Sequence, residues 1–359
     1  MTGMVLLATM APSDILGQAA RSKESLATIN KKLVTAETTQ TIQRGLAELA
    51  SRQREDGSFG SGRYRGSVAV TALSGMAFLA GGHTPGRGKY GAVVTNAVKF
   101  LLSRTQPGGF IVDDTDQPHR PMYGHGFATT FLAEVYGMTG RRDLKKSLRE
   151  KLKKAVNLII SSQRTFQVNV NGVDVRGGGW RYHPSDKDAD LSVTVCQVMA
   201  LRAARNCGIA VPKKVITLSV AYVKACQNRD GGFRYQTIMQ SDSIFPRSAA
   251  GVVALYSAGI YQGREIDRAL KYLMRYLPRK NLALRSGHYF YGHYYAVQAM
   301  YQAGGNHWKD WYPAIRDELL ASQRNNGSWR DPEVCDEYGT AMACLVLQTP
   351  LNYLPIFQR

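Results

Sequence analysis

Apolar and polar positions along the chain repeat one unit several times. In each copy an amphipathic helix ends at a Gly-aromatic turn and is followed by a more apolar helix rich in Ala, Val and Thr. The first helix and its turn recur clearly at residues 46–59, 100–110, 158–180 (with an insertion), 222–233 and 319–329. A sixth, degenerate copy spans residues 270–290 and has lost the Gln that precedes the turn in the others. The pattern predicts six helix pairs.

The second helices align on one small polar position near their starts. That position is occupied by Thr71, Thr129, Thr194, Ser248, His293 and Thr340, at intervals of about 45 to 65 residues, which fits two helices and their loops. The second helix of each pair is almost uncharged and the first has one charged face, so we expect the second inside and the first outside. We therefore predict an all-α fold, an α/α toroid of six helix pairs whose closure covers the ends of the array.

The chain divides into an N-terminal arm, residues 1–41, and a single toroid, residues 42–359. The arm contains the apolar stretch Met4–Met10, which is either the end of a truncated signal segment or a short hydrophobic arm that packs on the body. This stretch is too short to span a bilayer, and no other apolar run reaches about 18 residues, so membrane contact would be peripheral. A periplasmic, secreted or peripheral membrane location is favoured over the cytoplasm.

Composition and charge narrow the class of partner. The 359 residues are 44% hydrophobic and 20% charged, which is typical of a globular protein, and 46 Lys and Arg against 27 Asp and Glu give a net charge of +19. The densest basic run, Arg141–Lys154, places Leu144, Leu148 and Leu152 at helical spacing and is predicted to be the solvated face of an amphipathic helix. Its expected partner is an anionic membrane or polymer; nucleic acid is disfavoured because no aromatic residue interrupts the run to stack on bases.

The repeat also resembles a known family. The unit L-x₃-Q-x₂₋₅-G-x-(W/F) resembles the QW motif of squalene-hopene and oxidosqualene cyclases, and the same toroid occurs in the β subunits of protein prenyltransferases. The likeness spans residues from about 42 to 350. It is specific for fold and says little about chemistry. The chain has residues for one barrel where the family's cyclases join two, so a homodimer or partner chain would be needed to close the cavity.

One segment resembles the acid motif of the squalene cyclases. Residues 185–194 match D-x-D-D-T-A with Asp188 as the first Asp, Asp190 as the central Asp and Leu191 where the last Asp stands. The resemblance implies that Asp190 is the general acid of a terpenoid cyclase, an isomerase-type activity without metal or cofactor. From the residues alone, clustered carboxylates in a dry cavity hold a proton among them. The alternative is that Asp186, Asp188 and Asp190 cap an inner helix.

The starts of the other inner helices supply further candidates. His125 is either a catalytic partner or a hydrogen-bonded structural histidine. The aromatic stretch 288–295 places Tyr289, Tyr291 and His293 where they would line a cavity and stabilise a cation, or simply pack. Asp336 and Tyr338 open the sixth inner helix and complete the predicted substrate-binding set.

A zinc-dependent prenyltransferase is disfavoured. In that branch of the resemblance zinc is held by a D-x-C segment and a His, and the matching positions here are Asp242-Ser243-Ile244 and Gly339. Two ligands are therefore absent, and the five cysteines form no C-x-x-C pair and no disulfide framework. We predict neither a metal nor another cofactor.

Three functional hypotheses remain open. The first is a squalene-cyclase-like protein that binds an isoprenoid or related lipid and cyclises it through Asp190. The second is a non-catalytic secreted or envelope-associated repeat protein that binds a partner. The third is an enzyme acting on acidic polysaccharide, with Asp188, Asp190, Asp336 and Glu337 as its carboxylates. An apolar aromatic cavity would favour the first hypothesis, a filled channel the second and an open Arg-rich groove the third.

Overall fold

The computed structural model describes residues 26–113, 120–278 and 287–358. Within these ranges a short helix, α1 (Leu26–Leu33), precedes six helix pairs. The outer helices are α2 (Ala36–Ser51), α4 (Gly91–Ser103), α6 (Arg142–Ser162), α8 (Lys213–Ala225), α10 (Arg264–Leu273) and α12 (Gly305–Ser322). The inner helices are α3 (Val68–Ala80), α5 (Pro121–Met138), α7 (Leu191–Asn206), α9 (Phe245–Ser257), α11 (Tyr289–Ala303) and α13 (Asp336–Gln348). The apolar stretch Met4–Met10 lies outside the described residues.

The inner helices form a closed ring. Each packs on the next, and α13 returns to pack on both α3 and α2. Glycines permit this close approach: a Cβ placed on Gly75 would lie 2.5 Å from the ring of Phe131 on the neighbouring inner helix. The predicted α/α toroid of six helix pairs is therefore confirmed, with the apolar helices inside.

Four joints between an outer and an inner helix use the same hydrogen bond. The backbone N–H of the buried residue after the turn donates to the polar position of the inner helix, in the pairs Phe59–Thr71, Trp180–Thr194, Phe233–Ser248 and Trp329–Thr340. A glycine with positive φ stands two residues before Phe59, Phe233 and Trp329, at Gly57, Gly231 and Gly327. In the second unit Gly109 precedes Ile111 in the same way. The small polar position is therefore an acceptor for an N–H group that would otherwise be buried without a partner.

The second unit follows a different register from the one predicted. Ile111 occupies the fully buried position, and Phe110 is only half-buried beside it. The N–H of Ile111 donates to Nδ1 of His125 at 3.2 Å, so His125, and not Thr129 one turn later, is the joint acceptor. The sequence pattern predicted the wrong register because Phe110 is aromatic, whereas the aliphatic side chain of Ile111 occupies the buried position.

Four of the glutamines before the turns tie their unit to the next outer helix. Gln53 donates to the carbonyl of Val93, and the side chains of Gln163 and Gln227 donate to Val215 and Glu265 in the same way. The amide of Gln323 donates to Thr41, which joins the last unit to the first. The side-chain N–H groups of these glutamines thus connect neighbouring repeats.

The insertion in the third unit is an antiparallel hairpin. Strands β1 (Arg164–Val170) and β2 (Val173–Gly179) pair in register from Arg164 opposite Gly179 to Val170 opposite Val173. The hairpin packs on α8 and delivers Trp180 to its buried joint. No described helix is long and apolar enough to span a membrane.

Side chains fill the middle of the ring. Phe127 on α5 and Tyr294 on α11, which lie on opposite sides of the ring, approach to 6.5 Å between ring centroids. The far end is covered by the C-terminal segment, residues 349–358, in which Leu354, Ile356 and Phe357 are buried. The six inner helices begin at the opposite end, which we call the mouth.

Candidate functional site

Asp190 caps the third inner helix at the mouth of the ring. Its Oδ1 accepts the backbone N–H of Val193 at 2.9 Å, and its Oδ2 accepts Nη1 of Arg181 at 3.2 Å. The side chain is 0% exposed. Burial raises the pKa of Asp190 to about 6, although the Val193 N–H and the Arg181 charge both favour the carboxylate. The residue thus combines the hydrogen bond of a helix cap with a pKa that burial raises.

Arg181 joins the two aspartates of the motif. Its Nε lies 3.4 Å from Oδ2 of Asp188, whose side chain is 45% exposed, while Nη1 holds Asp190. The carboxylates therefore meet through a guanidinium, and the predicted sharing of a proton between Asp188 and Asp190 is wrong. Asp186 lies apart, because its side chain accepts the N–H of His183 in a local turn.

Tyrosines from three inner helices lie together at the mouth, near Asp190. We call Tyr123, Tyr291 and Tyr338 the tyrosine cup; each is half-buried. Burial raises the pKa of all three phenols well above 10, and the charge of Asp190 raises the pKa of Tyr123 and Tyr291 further. Tyr291 Oη donates to the carbonyl of Ser192 at 3.4 Å, which fixes it over the start of α7. The cup thus presents phenol rings close to a buried carboxyl group.

The remaining predicted site residues lie away from the cup. His125 donates from Nε2 to the carbonyl of Ala155 at 3.3 Å and accepts at Nδ1, and burial lowers its pKa to about 4, so it is a neutral joint residue. Tyr289 donates to Glu318 on outer helix α12. His293 packs among Phe245, Tyr289 and Trp311. Asp336 pairs with Arg324 at 2.7 Å. The structure therefore brings together Asp188, Asp190, Tyr291 and Tyr338.

Sequence reasoning missed Arg181, Tyr182 and Tyr235. Arg181 Nη1 also binds Tyr235 Oη at 2.9 Å, and the hydroxyls of Tyr182 and Tyr235 are hydrogen-bonded to each other. A signal was present, because an Arg-Tyr pair directly follows the buried aromatic residue in both the third and the fourth units. The contacts cross between units, so the pattern within one unit did not reveal them.

The described residues contain no group of three His, Cys, Asp or Glu side chains that could hold a metal ion. The basic run predicted from the sequence forms much of outer helix α6, far along the wall from the cup. A depression of about 450 Å³ lies on this surface, lined by Tyr136, Lys145, Lys146, Arg149, Glu150 and Lys153. It is a separate, cationic surface.

No family model and no curated protein matches the chain. Among solved structures it is similar to the type II terpene cyclase MstE from Scytonema, in its apo form, with a TM-score of 0.55, 15% identity, and 89% of this chain and 98% of that chain covered. For a variant of MstE in complex with its substrate, geranylgeranyl dihydroxybenzoate, the TM-score is 0.54 and the identity 15%, and 89% of this chain and 98% of that chain are covered. For the α-1,6-mannanase GH76A of Salegentibacter sp. the TM-score is 0.61 and the identity 8%, and 88% of this chain and 99% of that chain are covered. At these identities the likeness concerns the toroid fold.

Proposed function

We propose that this chain is an isoprenoid-binding toroid of the terpene-cyclase type and that Asp190 is its acid. The observation that carries the proposal is a buried carboxyl group with a pKa of about 6 at the start of an inner helix, beside a cup of three tyrosines. A pKa near 6 leaves a usable protonated fraction at neutral pH. The structural similarity to MstE, whose substrate carries a geranylgeranyl chain, supports the choice of ligand.

The neighbours of Asp190 suit proton donation. When the ligand's alkene takes the proton, its π electrons form the new C–H bond, and the positive charge moves to carbon beside the phenol rings. The carboxylate left behind remains paired with Arg181 at 3.2 Å, so Arg181 stabilises the product of proton release. Loss of a proton from the cyclised cation to water or to the carboxylate completes a redox-neutral isomerisation.

Polysaccharide hydrolysis fits the site less well. A glycosidase needs two carboxyl groups on either side of the bond that it cleaves. Here Asp188 and Asp190 share one guanidinium, Asp336 pairs with Arg324, and Glu337 accepts a hydrogen bond from Ser61 at 2.8 Å. The similarity to the mannanase therefore supports the toroid rather than a pair of catalytic carboxylates.

A non-catalytic binding protein is the second candidate. The contact between Phe127 and Tyr294 fills the middle of the ring and leaves the ligand only the mouth. A site at the mouth is shallower and wetter than an enclosed cavity, and water captures carbocations. Such a protein would retain an isoprenoid ligand without converting it.

The two candidates are separated by Asp190→Asn. Asn is as good a helix cap as Asp, so the variant should fold, and general-acid loss should lower turnover of squalene or geranylgeraniol by about 10²- to 10⁴-fold. Product is measured by mass spectrometry and ligand retention by native mass spectrometry. Wild-type turnover should fall about tenfold per pH unit above pH 6, as Asp190 loses its proton. Retention without turnover by the wild type would support the binding candidate, and loss of both would refute the proposal.

A further inference from the structure

We infer that the depression on outer helix α6 is a binding site for a ligand with two or more phosphate groups. We call it the basic depression; it is lined by Tyr136, Lys145, Lys146, Arg149, Glu150 and Lys153. None of these residues belongs to the tyrosine cup, and the inference does not depend on the proposed function.

The basic depression is concave, and packing fixes its shape. Its volume of about 450 Å³ lies in the range of pockets that hold small ligands. Tyr136 comes from the last turn of inner helix α5, and Nζ of Lys145 on α6 lies 5.7 Å from the centroid of its ring. Leu148 and Leu152 are fully buried on the opposite face of α6 and anchor this helix in the wall. The site is therefore formed before any ligand binds.

Four cations surround the basic depression without carboxylate partners. Lys145, Arg149 and Lys153 stand four residues apart and share one face of α6, and Lys146 lies beside them. Within the part of the chain that the structure describes, none of the four forms an ion pair. The acidic residue of the depression, Glu150, is paired with the lysine four residues later at 3.8 Å. Four basic side chains against one acidic side chain give the depression a charge of +3.

Other outer helices carry paired charges. Arg52 at the end of α2 lies 2.9 Å from Glu48, and Arg316 on α12 lies 2.7 Å from Asp317. On α6, by contrast, like charges follow one another at four-residue spacing twice in succession, and such charges repel each other. An anion bound among them would remove this repulsion. The arrangement is therefore unfavourable in the free protein and favourable in the complex.

The side chains around the depression suit phosphate better than carboxylate. The guanidinium of Arg149 has the geometry to donate two parallel N–H bonds to phosphate oxygens, while the lysines supply compact charges. The Tyr136 hydroxyl is an additional donor. One phosphate monoester carries about −1.5 to −2 charges at pH 7, so two phosphates are needed to balance +3, and a single carboxylate leaves most of it unbalanced. Such phosphates are either free in solution or part of a lipid head group.

The first measurement is isothermal titration calorimetry of the full chain with inorganic pyrophosphate and with orthophosphate at matched ionic strength. We expect pyrophosphate to bind at least tenfold more tightly. Lys145→Gln/Lys153→Gln should lower its affinity at least tenfold. The matched control Lys213→Gln/Lys214→Gln removes the same charge from the exposed start of α8 and should change the affinity less than twofold. Arg149→Lys keeps the charge but loses the two parallel donors, so it should lower the affinity at least threefold.

Vesicle sedimentation distinguishes the two sources of phosphate. Vesicles that contain phosphatidylinositol 4,5-bisphosphate are compared with phosphatidylserine vesicles of equal surface charge. A preference for the bisphosphate vesicles that free pyrophosphate abolishes would support the site and assign a lipid head group. Equal binding to both kinds of vesicle, together with the expected pyrophosphate affinities, would support the site and assign a soluble phosphate compound.

Three results would overturn the site: equal affinities for pyrophosphate and orthophosphate, equal losses in the two lysine pairs, or an unchanged affinity in Arg149→Lys. In each case, non-specific attraction to a chain with a net charge of +19 would be sufficient to explain the binding. Asp190→Asn should leave pyrophosphate binding unchanged. The proposed acid and the basic depression are therefore tested separately.

Discussion

Replacing Trp329 with Ala tests the closure of the ring. Trp329 is 1% exposed, and its Nε1 donates to the carbonyl of Leu319 at 2.9 Å. Its ring fills the joint between the last unit and the first, because a Cβ placed on Gly45 of α2 would lie 2.8 Å from Trp329 Cζ3. Removal of a buried Trp side chain costs about 3–5 kcal/mol, a large part of the roughly 5–15 kcal/mol that stabilises a typical domain.

The measurement is urea unfolding followed by circular dichroism at 222 nm. Phe110→Ala is the matched control, because this half-buried aromatic residue stands beside the equivalent joint of the second unit; it should cost only about 1–2 kcal/mol. Ile111 is 0% exposed, so Ile111→Ala should destabilise the protein more than Phe110→Ala does, although the Ile side chain is smaller. Equal effects of Trp329→Ala and Phe110→Ala would refute the assignment of buried joint residues.

A double-mutant cycle sharpens the same test. Gly45→Ala alone should destabilise by about 1–3 kcal/mol, because the new methyl group overlaps Trp329 and Cys344. In the Trp329→Ala background the methyl group enters the vacated space, and we expect a favourable coupling of about 0.5–3 kcal/mol. Rescue is partial because Cys344 Sγ still lies 2.8 Å from that position. Strict additivity would contradict direct packing between the two units.

Three further predictions follow from other parts of the molecule. Burial raises the pKa of Glu134 to about 8, so the stability that its protonated form contributes is fully present below pH 4.5 and is lost as pH rises through 8. In Glu134→Gln the melting temperature should fall less over this pH range than in the wild type; an unchanged pH profile would contradict the prediction. Reversing Lys145, Lys146 and Arg149 to Glu should lower sedimentation with vesicles containing phosphatidylserine more than tenfold, at about 1 kcal/mol per basic residue removed, without affecting neutral vesicles. Elemental analysis should find no stoichiometric zinc, and one zinc per chain would reopen the prenyltransferase hypothesis.

The repeat pattern was sufficient to predict the ring because it reflects a periodic physical need. Every unit has to end an outer helix, reverse the chain and satisfy a buried N–H group, so similar residues return at each joint. The second unit escaped the alignment because His125 replaces the hydroxyl acceptor and Ile111 replaces the aromatic residue. Different residue types met the same geometric requirement, which a search for identical letters cannot recognise.

The site was only partly predictable for a related reason. The position of Asp190 at the start of α7 follows from local sequence, since helix caps are local. Its environment does not, because Arg181 comes from the preceding turn and Tyr235 from the next unit. His293 and Tyr289 have the aromatic composition of a cavity wall, yet pack towards Trp311 and Glu318 in the outer layer. Composition thus predicted that these residues lie on an inner helix, whereas tertiary contacts determine which way their side chains point.

The hydrogen bond from Gln323 to Thr41 also bears on how the chain is synthesised. The first outer helix leaves the ribosome early, but the surface that it needs is on α13, which is almost the last element to emerge. Partly made chains therefore expose two complementary faces, one at each end, and neighbouring nascent chains can pair through them as domain-swapped oligomers. The order in which the six units follow one another along the chain is also arbitrary with respect to the closed ring. A circular permutant opened at the exposed turn between β1 and β2 would complete the same ring in a different order.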